Sequence, residues 1–413
     1  MTIDWNDDLS PDQRRLAEEA GRFAAEVLRP AALELDALSP EEVIAPESRL
    51  REVFRKAYKA GYHLRGFPKE LGGPGLEPMD AWLVGEQFGW GSSGLSISLG
   101  VTSMPFRFAA MTGNPDLMRE LVMPFVADSE GKYIGCWCAT EPDHGSDAIL
   151  YSGEYARPDI HLTCSARLDR DEWVINGQKS AWVSNGSIAT HTLAFLCVDP
   201  SKGMDGTAVA VVPLDAPGVS RGKPLNKMGQ RALNQGEIFF EDVRIPRHYM
   251  LVGPGRIGGA GDMTLAAANA GMSTTFSGVA RAAFEEAMAY AELRVQGGVA
   301  IAENQLVQRR LFDMFTKLQA ARSLSRLATG RLTTGLPTLH YSIAAKVFCT
   351  QTAFELASDA VQIHGGMGLV KGIAAEMLMR DARASLIEDG ANDVLALAGF
   401  RSLRNINRAM HVA

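Results

Sequence analysis

The order of hydrophobic periodicities along the chain restricts its fold more than any other feature. The first third repeats with helical spacing and opens on a capping box, Ser10-Pro11-Asp12-Gln13. From about Gly135 to Val252, short β-branched and aromatic runs alternate with turn residues, and helical spacing returns near Met263. We therefore predict an α+β multidomain protein with a helical N-terminal domain, a middle antiparallel β domain and a C-terminal four-helix-bundle domain, at residues 1–134, 135–253 and 254–413.

Composition and charge exclude several classes of protein. The 413 residues carry 41 Lys and Arg against 48 Asp and Glu, a net charge of −7 that disfavours nucleic acid and anionic membranes as partners. The longest charge-free stretch, Met263 to Ala280, contains too many polar residues for a membrane span. The five cysteines lack metal-ligand spacing, and the acidic N-terminus lacks signal-peptide features. We expect a cytoplasmic protein without a bound metal.

Glycine-containing dipeptides and motifs make local predictions in the middle of the chain. Asn-Gly pairs at 176–177 and 185–186 predict hairpin turns. Residues 253–258 spell GxGxxG, the dinucleotide-binding pattern. Pro254 interrupts it, and a helix that begins near Met263 would start too late to present its N-terminus to a phosphate. We interpret this segment as a link between domains.

Four separated segments together carry a family resemblance. They are the turn from Cys138 to Asp147, the stretch from Ile175 to Gly186, Arg294 with Gln305, and the stretch from Gln362 to Gly390. In this order they resemble the acyl-CoA dehydrogenase family, whose fold has the same α–β–α order. The resemblance implies an FAD-dependent oxidoreductase of acyl-CoA metabolism that converts an acyl-CoA, or another acyl thioester, to its 2-enoyl form.

The resemblance also implies which residues bind FAD and how the subunits assemble. Positions matching Arg294, Gln305 and 362–366 come from a neighbouring subunit in the family, which implies a homotetramer or homodimer with FAD at the interface. An electron-transferring flavoprotein is the implied electron acceptor. The implied FAD-binding residues are Trp137, Cys138, Ala139, Thr140, Gly145, Ser146, Trp182, Val183, Ser184, Arg294, Gln305, Gln362, Ile363, Gly365, Gly366, Ala391 and Asp393.

The catalytic segment departs from the family pattern. The family places a glutamate base at the tenth position of the segment opening Arg-Asp-Ala, and counting from Arg380 this position holds Asp389. Glu388 precedes it and would serve only if the loop shifted. Because a thioester α-proton is weakly acidic, the base needs a carboxylate whose pKa is raised by burial. We therefore take Asp389 and Glu388 as the candidate catalytic residues.

The other departures also surround the substrate. Ala391 replaces a family threonine, and Asn269 stands where the family helix carries an arginine. Twenty-seven residues separate Asp147 from Ile175, more than the family usually has there. We expect Ser146, Asn269 and Gly390 to bind a substrate whose acyl group, or whose reaction, is unusual for the family.

Two alternatives remain open at this point. The first is a flavin-dependent monooxygenase, or another reaction on the same fold that needs no α-proton base. The second is a non-catalytic nucleic-acid-binding relative. Only the cluster of Arg401, Arg404, Arg408 and His411 supports it. Cations at the end of a final helix are explained more simply by the helix dipole.

Overall fold

A computed structural model describes residues 9–149, 159–334 and 338–412. The N-terminal part is helical, and its first helix begins at the predicted capping box. The Ser10 hydroxyl accepts a hydrogen bond from the Gln13 N–H at 3.2 Å, and the Gln13 side chain accepts one from the Ser10 N–H. The helices are α1 Pro11–Phe23, α2 Arg29–Asp36, α3 Pro40–Ile44, α4 Arg49–Lys59, α5 Pro78–Gly91, α6 Ser93–Val101, α7 Met104–Met111, α8 Pro115–Leu117 and α9 Met123–Val126.

The middle part is a β-sheet with strand order β6-β7-β3-β2-β4-β5-β8, in which β1 pairs with β4. Most pairs are antiparallel, as predicted, and the exceptions are the parallel pairs β1–β4 and β2–β4. Long connections permit parallel pairing, whereas tight hairpins do not. The strands are β1 Gly135–Cys138, β2 Ser165–Asp169, β3 Glu172–Ser184, β4 His191–Cys197, β5 Thr207–Pro213, β6 Val219–Arg221, β7 Gln235–Pro246 and β8 Met250–Val252.

Both hairpin predictions are wrong. Asn176 and Gly177 lie inside β3, where the register against β7 shifts at a bulge. A Cβ on Gly177 would lie 2.7 Å from the Cα of Cys164, so only glycine fits this bulge. Asn185 has a left-handed φ of 65° and begins a turn, but that turn leads from β3 to β4, which are not neighbours in the sheet. The β2–β3 hairpin instead turns at Arg170, which has a φ of 58°.

The C-terminal part is again helical, with a small hairpin between its first two helices. Its elements are α10 Ile257–Leu293, β9 Val295–Gln296, β10 Val299–Ala300, α11 Gln305–Arg331, α12 Leu339–His364, α13 Ala374–Ser385 and α14 Asn392–Val412. Helix α10 begins at Ile257 rather than near Met263. The sequence places its start too late because the glycine-rich first turns show no apolar periodicity. The GxGxxG segment therefore does precede a helix. It still lacks the βαβ setting of a dinucleotide site, since β8 pairs antiparallel with β5.

Buried charge joins the first and last parts of the chain. Glu86 of α5 is fully buried and accepts hydrogen bonds from Arg322 Nε at 2.5 Å and from Arg281 Nη1 at 3.3 Å. Both arginines belong to the C-terminal helices, so this pairing fixes α5 against α10 and α11. The five cysteines are buried and free. Within the three described ranges, no helix combines the length and hydropathy needed to cross a membrane.

Candidate active site

The turn from Ala139 to Asp147 is anchored to β3 by a buried ion pair. Lys179 Nζ lies 2.7 Å from Glu141 Oε1, and neither side chain is exposed to solvent. Glu141 also accepts hydrogen bonds from the backbone and hydroxyl of Thr163. Burial opposes its ionisation, yet Lys179 and these donors hold the pKa of Glu141 below its ordinary value. Asp147 closes the turn by accepting the Gly145 N–H at 2.6 Å.

Three of the predicted FAD-binding residues from the middle part line one surface depression. Its lining includes Thr140, Gly145 and Trp182, and the Trp182 ring is 58% exposed beside it. The Ser184 hydroxyl accepts a hydrogen bond from Gln235 Nε2, which leaves its own proton free to donate. Next to the turn, the Trp137 ring packs on two phenylalanines. The Lys179 ammonium donates a hydrogen bond to the Ala139 carbonyl. The side chains of Cys138 and Val183 are buried.

Ser146 joins this turn to the predicted catalytic loop. Its Oγ accepts the backbone N–H of Ala391 at 3.0 Å, across 245 residues of sequence. Gly390 packs beside this contact with a φ of 100°, and a Cβ on it would lie 2.6 Å from Ile149 Cδ1. Two of the four family segments thus meet at one place. Of the long insertion after Asp147, residues 150–158 lie outside the described part of the chain.

The two candidate bases have different surroundings. Glu388 Oε1 accepts a hydrogen bond from Gln230 Nε2 at 2.5 Å. Asp389 has a left-handed φ of 52°, and its carboxylate makes no hydrogen bond to any residue that the structure describes. The Asp389 side chain is exposed to solvent, although many protein atoms surround it. Of the two side chains, Asp389 is therefore the one whose carboxylate oxygens are both unengaged by described residues.

Burial changes the proton affinity of the groups in this loop. It raises the pKa of Glu388 to about 7, and the neighbouring charge of Asp389 adds to this effect. It also raises the pKa of Asp389, while the ammonium of Lys346 works in the opposite direction. Lys346 itself is fully buried, and burial lowers its pKa to about 8. Carboxylates with raised pKa values are suited to general-base catalysis near neutral pH.

A loop before β7 connects all three parts of the chain next to Glu388. The Gln230 N–H donates to Asp381, and burial raises the pKa of that carboxyl to about 6. Gly229 packs so tightly on the Arg380 carbonyl that a Cβ would lie 2.1 Å away. Arg380 in turn pairs with Asp36 of α2 at 2.6 Å. Helix α13 is therefore held in position by contacts from both the N-terminal and the middle part of the chain. Glu388 and Asp389 follow shortly after this helix.

The remaining predicted FAD-binding residues, except for two, lie where α10 and α12 end and α11 begins. Tyr290 stacks on His364 with ring centroids 4.1 Å apart, which brings the C-terminal ends of α10 and α12 together. Arg294, Gln305, Gln362, Gly365 and Gly366 are exposed at this end, whereas the Ile363 side chain is buried in the core. No described contact connects this group to the depression beside Trp182. The two exceptions, Ala391 and Asp393, lie at the start of α14, beside the catalytic loop.

The predicted substrate residues lie in two positions. Ser146 and Gly390 lie at the junction described above. Asn269 is completely buried on α10, where its Nδ2 donates to the Leu265 carbonyl at 2.9 Å. Its Oδ1 has no hydrogen-bond partner among the described residues, which is unusual for a buried amide.

Sequence reasoning missed two residues that contact the catalytic loop. Gln230 follows a glycine in a loop without regular structure, and its sequence carries no signal for this contact. Lys346 carried a signal, because it is a single charge within the apolar run Ile343-Ala-Ala-Lys-Val-Phe-Cys349 of α12. A lone charge at a core position of a helix indicates a specific partner.

Comparison with known proteins identifies the family to which this site belongs. Three family models match in chain order: the N-terminal domain of acyl-CoA dehydrogenase at residues 10–128, the middle domain at 136–243 and the C-terminal domain at 263–403. The chain belongs to the acyl-CoA dehydrogenase family. It is therefore an oxidoreductase acting on CH–CH donors, and its cofactor is FAD.

Individual members show how far the likeness extends. The rat mitochondrial short-chain specific acyl-CoA dehydrogenase is 30% identical over 409 residues, covering 98% of this chain and 94% of its own. The structure of butyryl-CoA dehydrogenase from Megasphaera elsdenii matches with a TM-score of 0.85 and 27% identity, over 96% of this chain and 99% of its own. A chain from a structure described as the electron transferring flavoprotein of Acidaminococcus fermentans matches with a TM-score of 0.84 and 29% identity, over 98% and 99%.

Proposed function

We propose that this acyl-CoA dehydrogenase family member converts an acyl-CoA thioester to the 2-enoyl-CoA, with Asp389 as the base. The observation that carries the proposal is the difference between the two carboxylates. Glu388 is engaged by Gln230, whereas Asp389 has no hydrogen-bond partner among the described residues and is exposed to solvent. A base must be within hydrogen-bonding reach of the proton that it removes, and Asp389 is free to approach one.

The residues around the depression fit FAD. Trp182 offers an exposed aromatic face, and the hydroxyls of Ser146 and Ser184 each keep a proton to donate. A Cβ on Gly145 would meet no atom within 4 Å, so a large group has room to approach the backbone there. When bound, FAD supplies the acceptor for the β-hydrogen and its electron pair. Asp389 takes the α-proton, and the carbon–carbon double bond forms between the two carbons.

Backbone groups of the same loop support thioester activation. Removal of an α-proton requires donors directed at the thioester carbonyl oxygen, where negative charge develops. The Asp389 N–H makes no backbone hydrogen bond within the described part of the chain, which leaves it available as such a donor. The Gly390 carbonyl is held by Lys346, and this contact fixes the peptide plane beside the base.

We infer that the second group of FAD-binding residues serves a neighbouring copy of the chain in a homodimer or homotetramer. Leu293, Leu306 and Leu369 are each more than three-quarters exposed, beside Arg294, Gln305 and Gly365. Apolar side chains gathered on one exposed end favour burial against another protein surface. Sedimentation of the holoprotein measures the assembly, and an Arg294→Ala variant should lose FAD. A monomer with full FAD content would contradict this inference.

We also propose an electron-transferring flavoprotein as the electron acceptor, which the likeness to the Acidaminococcus chain supports. Substrate-reduced holoprotein mixed anaerobically with such a flavoprotein should regain its FAD absorbance. Failure to exchange electrons with any flavoprotein of this class would contradict this part of the proposal.

Anaerobic bleaching of FAD absorbance by a panel of acyl-CoAs tests the reaction directly. At least one straight or branched acyl-CoA should bleach the wild-type holoprotein. Asp389→Asn should slow bleaching by about 100-fold or more while FAD stays bound. Glu388→Gln is the matched control and should keep most of the rate. Loss of bleaching in Glu388→Gln alone would move the base to Glu388. No bleaching by any thioester, with rapid oxygen consumption by reduced holoprotein, would favour the monooxygenase alternative.

A further inference from the structure

Helix α12 buries one lysine directly behind the catalytic loop. Lys346 is 0% exposed, and its Nζ donates hydrogen bonds of 2.8 Å to the Gly390 carbonyl and of 2.8 Å to Asn392 Oδ1. These two acceptors lie one and three residues after Asp389. The loop is therefore attached to the helix bundle immediately after the base.

A second residue of α12 completes this attachment. Thr350 lies one turn after Lys346 and accepts a hydrogen bond from Asn392 Nδ2 at 3.1 Å. Its own hydroxyl donates to the Lys346 carbonyl at 2.8 Å. Asp389 and Gly390 both have left-handed φ angles, of 52° and 100°. A non-glycine residue keeps such a conformation only where its surroundings hold it, and this network lies next to it.

The charge of Lys346 is not neutralised by direct contact. Both of its hydrogen bonds go to neutral oxygens, and none of the described carboxylates lies within 4 Å of its Nζ. The cations that act on the two carboxylates of the loop are Lys346 from α12 and Lys227 from the loop before β7, and Asp393 lies beside the loop at the start of α14. From a distance greater than 4 Å, the Lys346 ammonium stabilises the ionised carboxylate of Asp389 without forming a hydrogen bond to its oxygens.

We propose that Lys346 is a positioning residue for the base, which orients Asp389 through Gly390 and Asn392 and favours its ionised form through an uncompensated positive charge. This inference rests on the proposed function, because it assumes that Asp389 removes the α-proton. The lysine touches neither reacting atom. Its two contributions are separable, since one depends on hydrogen bonds and the other on charge.

Two variants of the holoenzyme separate these contributions. Lys346→Met removes both the hydrogen bonds and the charge, and should lower kcat about 100-fold with KM changed less than about threefold. Lys346→Gln keeps an amide donor and should recover part of that loss. Without the cation the pKa of Asp389 rises. As the pH is lowered, both variants should therefore lose activity at a pH about one unit higher than the wild type does. Lys317→Gln breaks an exposed α11–α12 ion pair and should leave the pH profile unchanged.

The pH profile decides between positioning and mere structural support. If kcat falls but the acidic limb stays at the wild-type pH in both variants, the charge contribution is refuted. If Lys346→Gln and Lys346→Met lose the same amount of kcat, the hydrogen-bond contribution is refuted. Where the methionine variant does not fold, the glutamine variant decides: a wild-type kcat together with an acidic limb at the wild-type pH overturns the proposal.

A measurement without substrate distinguishes this inference from the proposed function. Urea unfolding of wild type, Lys346→Met, Asp389→Asn and the double variant forms a double-mutant cycle. Lys346→Met should destabilise the protein less in the Asp389→Asn background, and additive changes would overturn the electrostatic link. Lys346→Gln replaces the methionine variant in the cycle if that variant does not fold. Wild-type bleaching by Asp389→Asn would instead overturn the proposed function, whatever the cycle shows.

Discussion

Replacing Glu388 with glutamine should make the protein more stable at alkaline pH. The folded state raises the pKa of Glu388 from 4.5 to about 7, chiefly through burial and then through the charge of Asp389. The folded protein therefore binds this proton more tightly than the unfolded chain does. The resulting stabilisation is complete below pH 4.5 and is lost as the pH rises through 7. Glutamine does not titrate, so the free energy of unfolding of the variant does not fall in this way as the pH rises.

The size of the effect follows from the two pKa values. Each tenfold difference in proton affinity corresponds to about 1.4 kcal/mol. Between pH 5 and pH 8, the wild type should lose roughly 2 kcal/mol more unfolding free energy than Glu388→Gln. The amide oxygen of the new glutamine can still accept the hydrogen bond from Gln230, so packing at the site is preserved.

Urea unfolding followed by tryptophan fluorescence at pH 5 and pH 8 measures this difference, at constant protein concentration and FAD content. Glu18→Gln, an exposed substitution on α1, serves as the control and should follow the wild type. Identical pH dependence in wild type and Glu388→Gln would refute the reasoning. A wild type that gains stability relative to the variant as the pH rises would show that Glu388 is stabilised as the anion.

Three further substitutions test other parts of the structure. Lys179→Met should cost about 3 to 5 kcal/mol of unfolding free energy, because Glu141 is left buried and unpaired, and adding Glu141→Gln should restore part of it in the same urea assay. Gly390→Ala should cost about 1 to 3 kcal/mol and slow bleaching by acyl-CoA, because its Cβ would meet Ile149 at a left-handed φ; an unchanged bleaching rate would contradict this. Ser10→Ala should lower stability by about 1 kcal/mol in thermal melts, with FAD content unchanged.

The contrast between Ser10 and Asn176 shows which parts of the fold the sequence can predict. A capping box is complete within four residues, so its local chemistry decides where α1 begins. An Asn-Gly pair is equally local, but Asn176 bonds to Asp242, 66 residues away, and β3 continues past it through a bulge. Tertiary pairing overrides turn propensity there. The glycine-rich start of α10 has no periodicity to detect, and this is why its first turn was missed.

The candidate site divides in the same way. The family resemblance implies that Ser146 and the loop around Asp389 belong to one site, and the Ser146–Ala391 hydrogen bond brings them together. Counting from Arg380 puts Asp389 at the family's base position, but the sequence keeps Glu388 as a second candidate, because a small shift of the loop would exchange two adjacent carboxylates. The distinction depends on Gln230, which approaches from a loop 158 residues away, and on Lys346 from a different helix. Such contacts depend on how the three parts of the chain pack.

The shorter base at position 389 has a geometric consequence for the substrate. Aspartate has one methylene fewer than the family glutamate, so its carboxylate reaches about 1.5 Å less far from the backbone. Hydrogen bonds from Lys346 to Asn392 on one side and from Gln230 to Glu388 on the other oppose a forward movement of the loop that would recover this distance. If Asp389 removes the α-proton, the α-carbon must therefore lie closer to this backbone than a glutamate base would require. That condition favours an acyl group compact enough around its α- and β-carbons to approach the loop, and it connects the departure at 389 to substrate choice rather than to loss of function.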